Sequence, residues 1–309
     1  MKSIQLPAAG LSASQLVLGL MRINDKTDDQ IRELYRRARE AGVDLFDHAD
    51  IYGDGPHHCE RRFAEAVRLS GAEREQVLIQ SKVGIIRDGP SYDFSAEHIM
   101  EEVEESLRAL QTDYLDILLL HRPDPLVEPE EVARAFDALQ GSGKVRHFGV
   151  SNHTVGQIEL LRTAVEQPLV VNQVQLSIVH APLFSEGMQT NTLGQAQAVM
   201  PAGADLVEYC RRQGITLQAW SPYQSPRGVF IDHPEYPELN AVLSRLAEKH
   251  SVTPTGIATA WLTRHPADIQ VVLGTTQGAR VEEAAAGAQV RLSRREWYEL
   301  IRAAGHRLP

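Results

Sequence analysis

The sequence predicts an α/β protein folded as one (β/α)8 barrel, a TIM barrel, with residues 1–309 forming a single domain. Short apolar runs alternate with longer amphipathic segments throughout the chain. Eight of these runs, starting at Leu16, Val43, Val77, Leu115, Val145, Val170, Ile215 and Ile269, read as strands, and nearly all precede a helical segment. No linker, internal repeat or low-complexity stretch interrupts the series. Buried parallel strands that alternate with helices close most simply into a barrel. An open doubly wound sheet is the alternative, but no G-x-G-x-x-G follows any strand.

Each element has its own signal. After "LVLGL", the segment "DDQIRELYRRAREAG" sets Ile31, Leu34, Tyr35 and Ala38 three and four residues apart, the spacing of a helix with one buried face, and Gly42 stops it. "VDLF" is the second strand, followed by a helix from about Cys59 to Leu69. "QVLIQSK" is the third, ahead of a helix that opens at Ser95 with Ser-x-x-His. "YLDILLLH" with "EPEEVARAFDALQGSGK" and "VRHFGVSN" with "TVGQIELLRTAV" form the next two pairs. "LVVNQVQLS", a helix from Leu206 to Gln213, "ITLQAW", "LNAVLSRLAEKH", "IQVVLGT" and "ARVEEAAAGA" complete the order. "GSGKV" at 141–145 lacks the Ser or Thr that follows a phosphate-loop lysine and joins a helix to a strand, so it reads as a helix C-cap turn. The segment 177–204 is too long for an ordinary connection and is expected to hang over the C-terminal mouth of the barrel.

Composition narrows the function classes. A chain of 309 residues with 43% hydrophobic content can bury a large core. A net charge of -10, with dispersed basic residues, disfavours a nucleic-acid partner. The two cysteines, Cys59 and Cys210, lie far apart without a CxxC spacing and suit a reducing compartment. The N-terminal segment has no apolar run of signal-peptide type, and "LDILLL" is far too short to cross a bilayer. The expectation is a cytoplasmic protein without membrane or nucleic-acid partners, monomeric unless homo-oligomers form.

In a barrel, side chains from the C-terminal ends of several strands converge on one mouth. Read in order, those ends carry Asp47 and Tyr52, then Lys82, His121, Ser151 and Asn152, Gln173, and Trp220 with Ser221. A tyrosine is a poor acid near neutrality, with a pKa of about 10, and an adjacent ammonium favours its phenolate and lowers that value. Asp47 would hold Lys82 charged, and His121 would donate to a carbonyl oxygen or share the phenol proton. The four make an acid able to protonate an oxygen as negative charge builds on it. Taken singly, each has a plainer reading: Asp47 with Lys82 as a buried ion pair, His121 as a loop histidine capping a helix, and Tyr52 as a packed ring.

These residues sit in segments that resemble the aldo-keto reductases. "FDHADIYG" is similar to that family's F-D-T-A-x-x-Y-G, "IQSKVG" to its strand-end lysine, "LLLHRPD" to its histidine, "HFGVSN" to its G-V-S-N and "VVNQVQ" to its N-Q-x-x, in order across nearly the whole chain. "HADIYG", "HRPDP" and "GKVRHFGVSN" together resemble a bacterial branch of monomeric reductases. The resemblance implies an NADPH-dependent oxidoreductase that reduces a small-molecule aldehyde or ketone to an alcohol by hydride transfer. It implies Tyr52 as general acid, supported by Asp47, Lys82 and His121, and Ser151, Asn152 and Gln173 as hydrogen-bond partners of the nicotinamide carboxamide. Trp220, next to Ser221, would stack on the nicotinamide ring. Gly274, Thr275 and Arg280 would bind the nucleotide tail, with Glu283 as an adenine contact. Arg280 suits a 2'-phosphate because a guanidinium makes paired hydrogen bonds to phosphate oxygens. Gly274 stands where some relatives carry lysine and Ala284 where they carry asparagine, so NADPH is expected over NADH by a narrowed margin. His48 replaces the usual small residue after the aspartate and is expected to pack away from it. The competing reading is a cofactor-binding regulatory subunit with vestigial catalysis. A metal-dependent hydrolase lacks a ligand cluster at the strand ends.

"GPHHCE" at 55–60 contains metal-ligand residue types, but adjacent histidines rarely aim at one ion from the same stretch of backbone. A solvated turn leading into a helix, with Glu60 in its first turn, is the expectation, and no metal is assigned. The substrate pocket is expected to come chiefly from 177–204 and from the tail after Arg291.

Overall fold

A computed structural model describes residues 2–189 and 205–308. The barrel strands are β1 (Leu16–Gly19), β2 (Leu45–Asp47), β3 (Leu78–Val83), β4 (Leu115–Leu120), β5 (Val145–Ser151), β6 (Leu169–Gln175), β7 (Thr216–Trp220) and β8 (Gln270–Leu273). Each runs parallel to the next and β8 returns to β1, so the sheet closes without an edge, as the alternation of the sequence predicts.

The two faces of the strands divide the core. Val17, Leu45, Ile117, Leu119 and Val171 pack inside the barrel with Ile4, Leu6 and Ala13 of an N-terminal antiparallel hairpin, which closes the end opposite the mouth. Leu16, Leu18, Leu118 and Leu120 belong to the outer cluster between strands and helices. This plug of side chains leaves the C-terminal ends of the strands as the face where polar groups can gather.

The helix signals hold in detail. Thr27 and Gln30 form a reciprocal capping box at the start of the helix Asp28–Glu40. Ser95 caps Ala96–Leu110 by accepting from the His98 N–H at 3.3 Å. The 141–145 turn is a helix stop: Gly143 has φ 75° and the Lys144 N–H donates to the Leu139 carbonyl at 3.0 Å.

Two helices of ten residues escape the periodicity reading. Pro254–Thr263 is buried nearly all round, so it has no polar face to reveal a 3.6-residue period. It lies so close to Gly278–Gly287 that a Cβ on Gly287 would stand 2.1 Å from the Gly256 carbonyl oxygen. Arg294–Ala303 opens with a Ser293–Glu296 capping box, buries Leu300 and Ile301, and stacks Trp297 on Trp261 with ring centroids 5.0 Å apart. That docking draws the C-terminal tail to the outside of the barrel, and none of its described residues lines the mouth, contrary to the expectation for the tail. In the long connection, Pro182–Gln189 is helical, while residues 190–204 lie outside the described residues. No helix among the described residues is long and apolar enough to cross a membrane.

Candidate active site

A cavity of about 740 Å³ opens at the C-terminal ends of the strands. At its floor the ends of β2 and β3 meet. Lys82, fully buried, directs its ammonium to three oxygens: Asp47 Oδ2 at 2.8 Å, the His48 carbonyl at 2.8 Å and the Tyr52 hydroxyl at 3.0 Å. All three N–H bonds are therefore used. Burial alone would push the Lys82 pKa down, but the charges of Asp47 and Tyr52 and its hydrogen bonds to them hold it raised. Lys82 itself does not line the cavity; it reaches it through Tyr52 and Asp47, which do.

The expected lowering of the Tyr52 pKa is not what the packing produces. Burial raises it, the Lys82 ammonium pulls it down, and Asp47 pushes it back up, leaving the phenol above its usual value. The aspartate that holds the lysine charged also cancels part of the field at the phenol. His121 follows β4 and packs edge-on to Tyr52, with ring centroids 5.8 Å apart. Burial, reinforced by the Lys82 and Arg122 cations, holds its pKa well below the usual value, so the ring is neutral. Its Nδ1 is buried without a hydrogen-bond partner among the described residues.

Beneath the tetrad lies a layer of glutamines, of which the strand-end reading found only Gln173. Gln80 and Gln173 donate to Asp47 Oδ1 at 2.6 and 3.0 Å, and both donate to Gln218 Oε1 at 2.9 Å. Gln218 in turn donates to Gln80 at 3.1 Å and Gln270 at 3.0 Å. A carboxylate only accepts, so Asp47 fixes which end of each amide faces it, and the orientation passes around the barrel. The signal was visible as "IQSK", "LQAW" and "IQVV", one glutamine directly after an apolar residue in each of three buried strands.

The remaining predicted residues line the same cavity: Ser151, Asn152, Gln173, Trp220, Ser221, Gly274, Thr275, Arg280 and Glu283. Asn152, at φ 63°, donates to Ser151 Oγ at 2.9 Å and accepts from the Trp220 indole N–H at 3.0 Å, which fixes the ring. Ser151 donates to the Gln173 carbonyl at 2.8 Å. Glu283 accepts from Thr253 at 3.4 Å, and Arg280, in the first turn of Gly278–Gly287, has no side-chain partner among the described residues.

Two neighbours of Tyr52 differ in how they met expectation. His48 packs away from Asp47, edge-on to Phe63 at 4.9 Å, and burial lowers its pKa to about 4. The 55–60 turn is only partly solvated: Pro56 is exposed, but His57, Cys59 and Glu60 are buried. His57, 3% exposed, bonds Glu60 at 2.6 Å and Glu102 at 3.1 Å, and Glu60 also accepts from Ser81 at 2.6 Å. A left-handed backbone at His57, φ 55°, turns this side chain inward beneath the loop that carries Tyr52. Burial opposes its charge, yet the hydrogen bonds to Glu102 and Glu60 prevail and raise its pKa to about 9.

The family model for the aldo/keto reductases matches residues 15–304. The oxidoreductase YcsN of Bacillus subtilis (strain 168) is 34% identical, with 100% of each chain covered. The 6-dehydroglucose reductase of Agrobacterium fabrum (strain C58 / ATCC 33970) is also 34% identical, over 94% of each chain. An aldo-keto reductase from Klebsiella pneumoniae, crystallised with NADPH, superposes with a TM-score of 0.77 at 22% identity, covering 98% of this chain and 95% of its own. With the family model matched over residues 15–304 and a relative 34% identical covered from end to end, the chain belongs to the aldo/keto reductase family and is an oxidoreductase.

Proposed function

We propose that the protein reduces aldehydes or ketones with NADPH, with Tyr52 as the general acid. The observation that carries this reading is the Lys82 ammonium, which donates to the phenol oxygen at 3.0 Å and so leaves the hydroxyl's own proton to face the cavity. Burial keeps Tyr52 protonated at neutral pH, the form that a reduction consumes. As the proton passes to the carbonyl oxygen, the charge left on the phenolate is met by Lys82, so the lysine acts on the developing anion rather than by ionising the resting phenol. His121, neutral, offers an N–H to the same oxygen.

The donor set fits a nicotinamide dinucleotide. When bound, the cofactor supplies the hydride. Both N–H bonds of Gln173 are taken by Asp47 and Gln218, which leaves its oxygen to accept from the carboxamide, with Ser151 and Asn152 beside it. The Trp220 ring presents a flat surface for stacking. At the other end, Arg280, without a side-chain partner among the described residues and at a helix start, suits a 2'-phosphate, bordered by Ser221, Gly274, Thr275 and Glu283.

The test follows NADPH absorbance with a panel of aldehydes, ketones and dicarbonyls, in the wild type and in Tyr52→Phe. The variant should lose roughly 10²–10⁴-fold in turnover while NADPH binding, read by fluorescence titration, stays close to wild type. Near wild-type turnover in Tyr52→Phe would refute the general-acid role.

A further inference from the structure

Besides Arg280, two further arginines stand at the same cavity without a carboxylate partner among the described residues. Arg22 follows the end of β1 and Arg122 follows His121 at the end of β4, so they bracket the ends of β2 and β3 that carry Tyr52 and Lys82. Neither forms an ion pair or a hydrogen bond with a side chain among the described residues. Arg122 is held instead over the Trp220 ring, 5.9 Å from its centroid, a contact that leaves all its N–H donors uncommitted.

With 41 acidic residues against 31 basic ones, the chain has acids to spare, and arginines away from the cavity make use of several: Arg36 pairs with Glu33, Arg37 with Glu282, Arg62 with Asp28 and Arg74 with Asp116. The cavity's own carboxylates do not serve Arg22 and Arg122. Asp47 is bound to Lys82, while Asp232 and Glu283 follow β7 and β8, on the arc that also holds Arg280. Two like charges facing one cavity repel each other, and an anion between them removes that repulsion.

We infer that the carbonyl substrate is itself an anion, an aldehyde or ketone bearing a carboxylate or phosphate, whose charged group is taken by Arg22 and Arg122 while its carbonyl faces Tyr52. The inference rests on the carbonyl-reductase reading above and adds the substrate class. A guanidinium fork binds carboxylate and phosphate alike, so the shared chemistry is the anionic oxygen pair.

Matched probes test it. Succinic semialdehyde is compared with its methyl ester, and glyceraldehyde phosphate with glyceraldehyde, in the wild type, Arg22→Gln and Arg122→Gln. In the wild type, kcat/KM for the anion should exceed that of its neutral partner, mostly through KM. In each variant the ratio should fall about 10- to 100-fold, as one lost charge-assisted contact predicts. Which pair shows the larger ratio tells carboxylate from phosphate. Equal efficiency for both members of both pairs, or ratios unmoved in both variants, overturns the inference. So does weaker NADPH binding in the variants with the anion preference intact, because the arginines would then read the cofactor. A second measurement does not depend on turnover: succinate, but not succinamide, should shift tryptophan fluorescence in the wild type and lose affinity in both variants. Reduction without anion preference sinks this inference alone. Absence of reduction with any probe sinks the reductase reading, and the succinate titration still decides the role of the arginines.

Discussion

Replacing Lys82 by methionine removes one charge from the best-satisfied position in the site. Methionine is apolar and of similar length, so it fills the space while all three hydrogen bonds of the ammonium disappear. Asp47, 2% exposed, then keeps its amide donors Gln80 and Gln173 on Oδ1 but loses the partner of Oδ2 at 2.8 Å. Breaking a buried ion pair by removing one member costs about 3–5 kcal/mol, and the two surviving amide contacts put this case near the lower end, about 3 kcal/mol. Turnover should fall by roughly 10²–10⁴-fold, because the phenolate left after proton transfer loses its counter-charge. The stability loss is read from denaturant midpoints followed by tryptophan fluorescence, with equal m-values as the check that only stability changed. The double variant Asp47→Asn with Lys82→Met removes the orphaned charge and should regain part of the loss. If the double variant is no more stable than the single one, the reasoning fails, since the cost would then come from packing and not from an uncompensated carboxylate.

Three further outcomes follow from other parts of the site. Arg280→Ala should weaken NADPH about 10-fold or more and NADH little, measured by fluorescence titration with both cofactors; equal losses would mean that Arg280 does not read the phosphate. His57→Gln tests the buried pair with Glu60 and Glu102: a folded pKa raised from 6.5 to about 9 contributes stability that is complete below pH 6.5 and lost as pH rises through about 9. Wild-type melting temperature should therefore fall across that window more steeply than that of the variant, and parallel pH profiles would remove His57 as the cause. Gly287→Ala should destabilise severely, because its Cβ would meet backbone of Gly256 at 2.1 Å; a variant with wild-type stability would show that the two helices can separate without cost.

The barrel was legible in the sequence because strand and helix periods are local, and eight buried runs alternating with helices leave few other closures. That Asp47, Tyr52, Lys82 and His121 lie together was legible for the same reason: they are polar residues at or just past the ends of strands, and a barrel brings strand ends together. Pro254–Thr263 was not, because a helix buried on every side erases the polar face that periodicity detects. The inward turn of His57 was also hidden. "GPHHCE" has the composition of a surface turn, and only the approach of Glu102 and Ser106 from the helix after β3 makes that place a buried ion-pair site. The direction of the Tyr52 pKa likewise belongs to the tertiary structure. Sequence places a lysine beside the phenol, but the sum of burial, Lys82 and Asp47 depends on distances and enclosure that no spacing along the chain contains. The pairing of Arg22 with Arg122 at one cavity, 100 residues apart in the chain, has the same origin: which charges remain without a partner is decided only when every other charge has found its place.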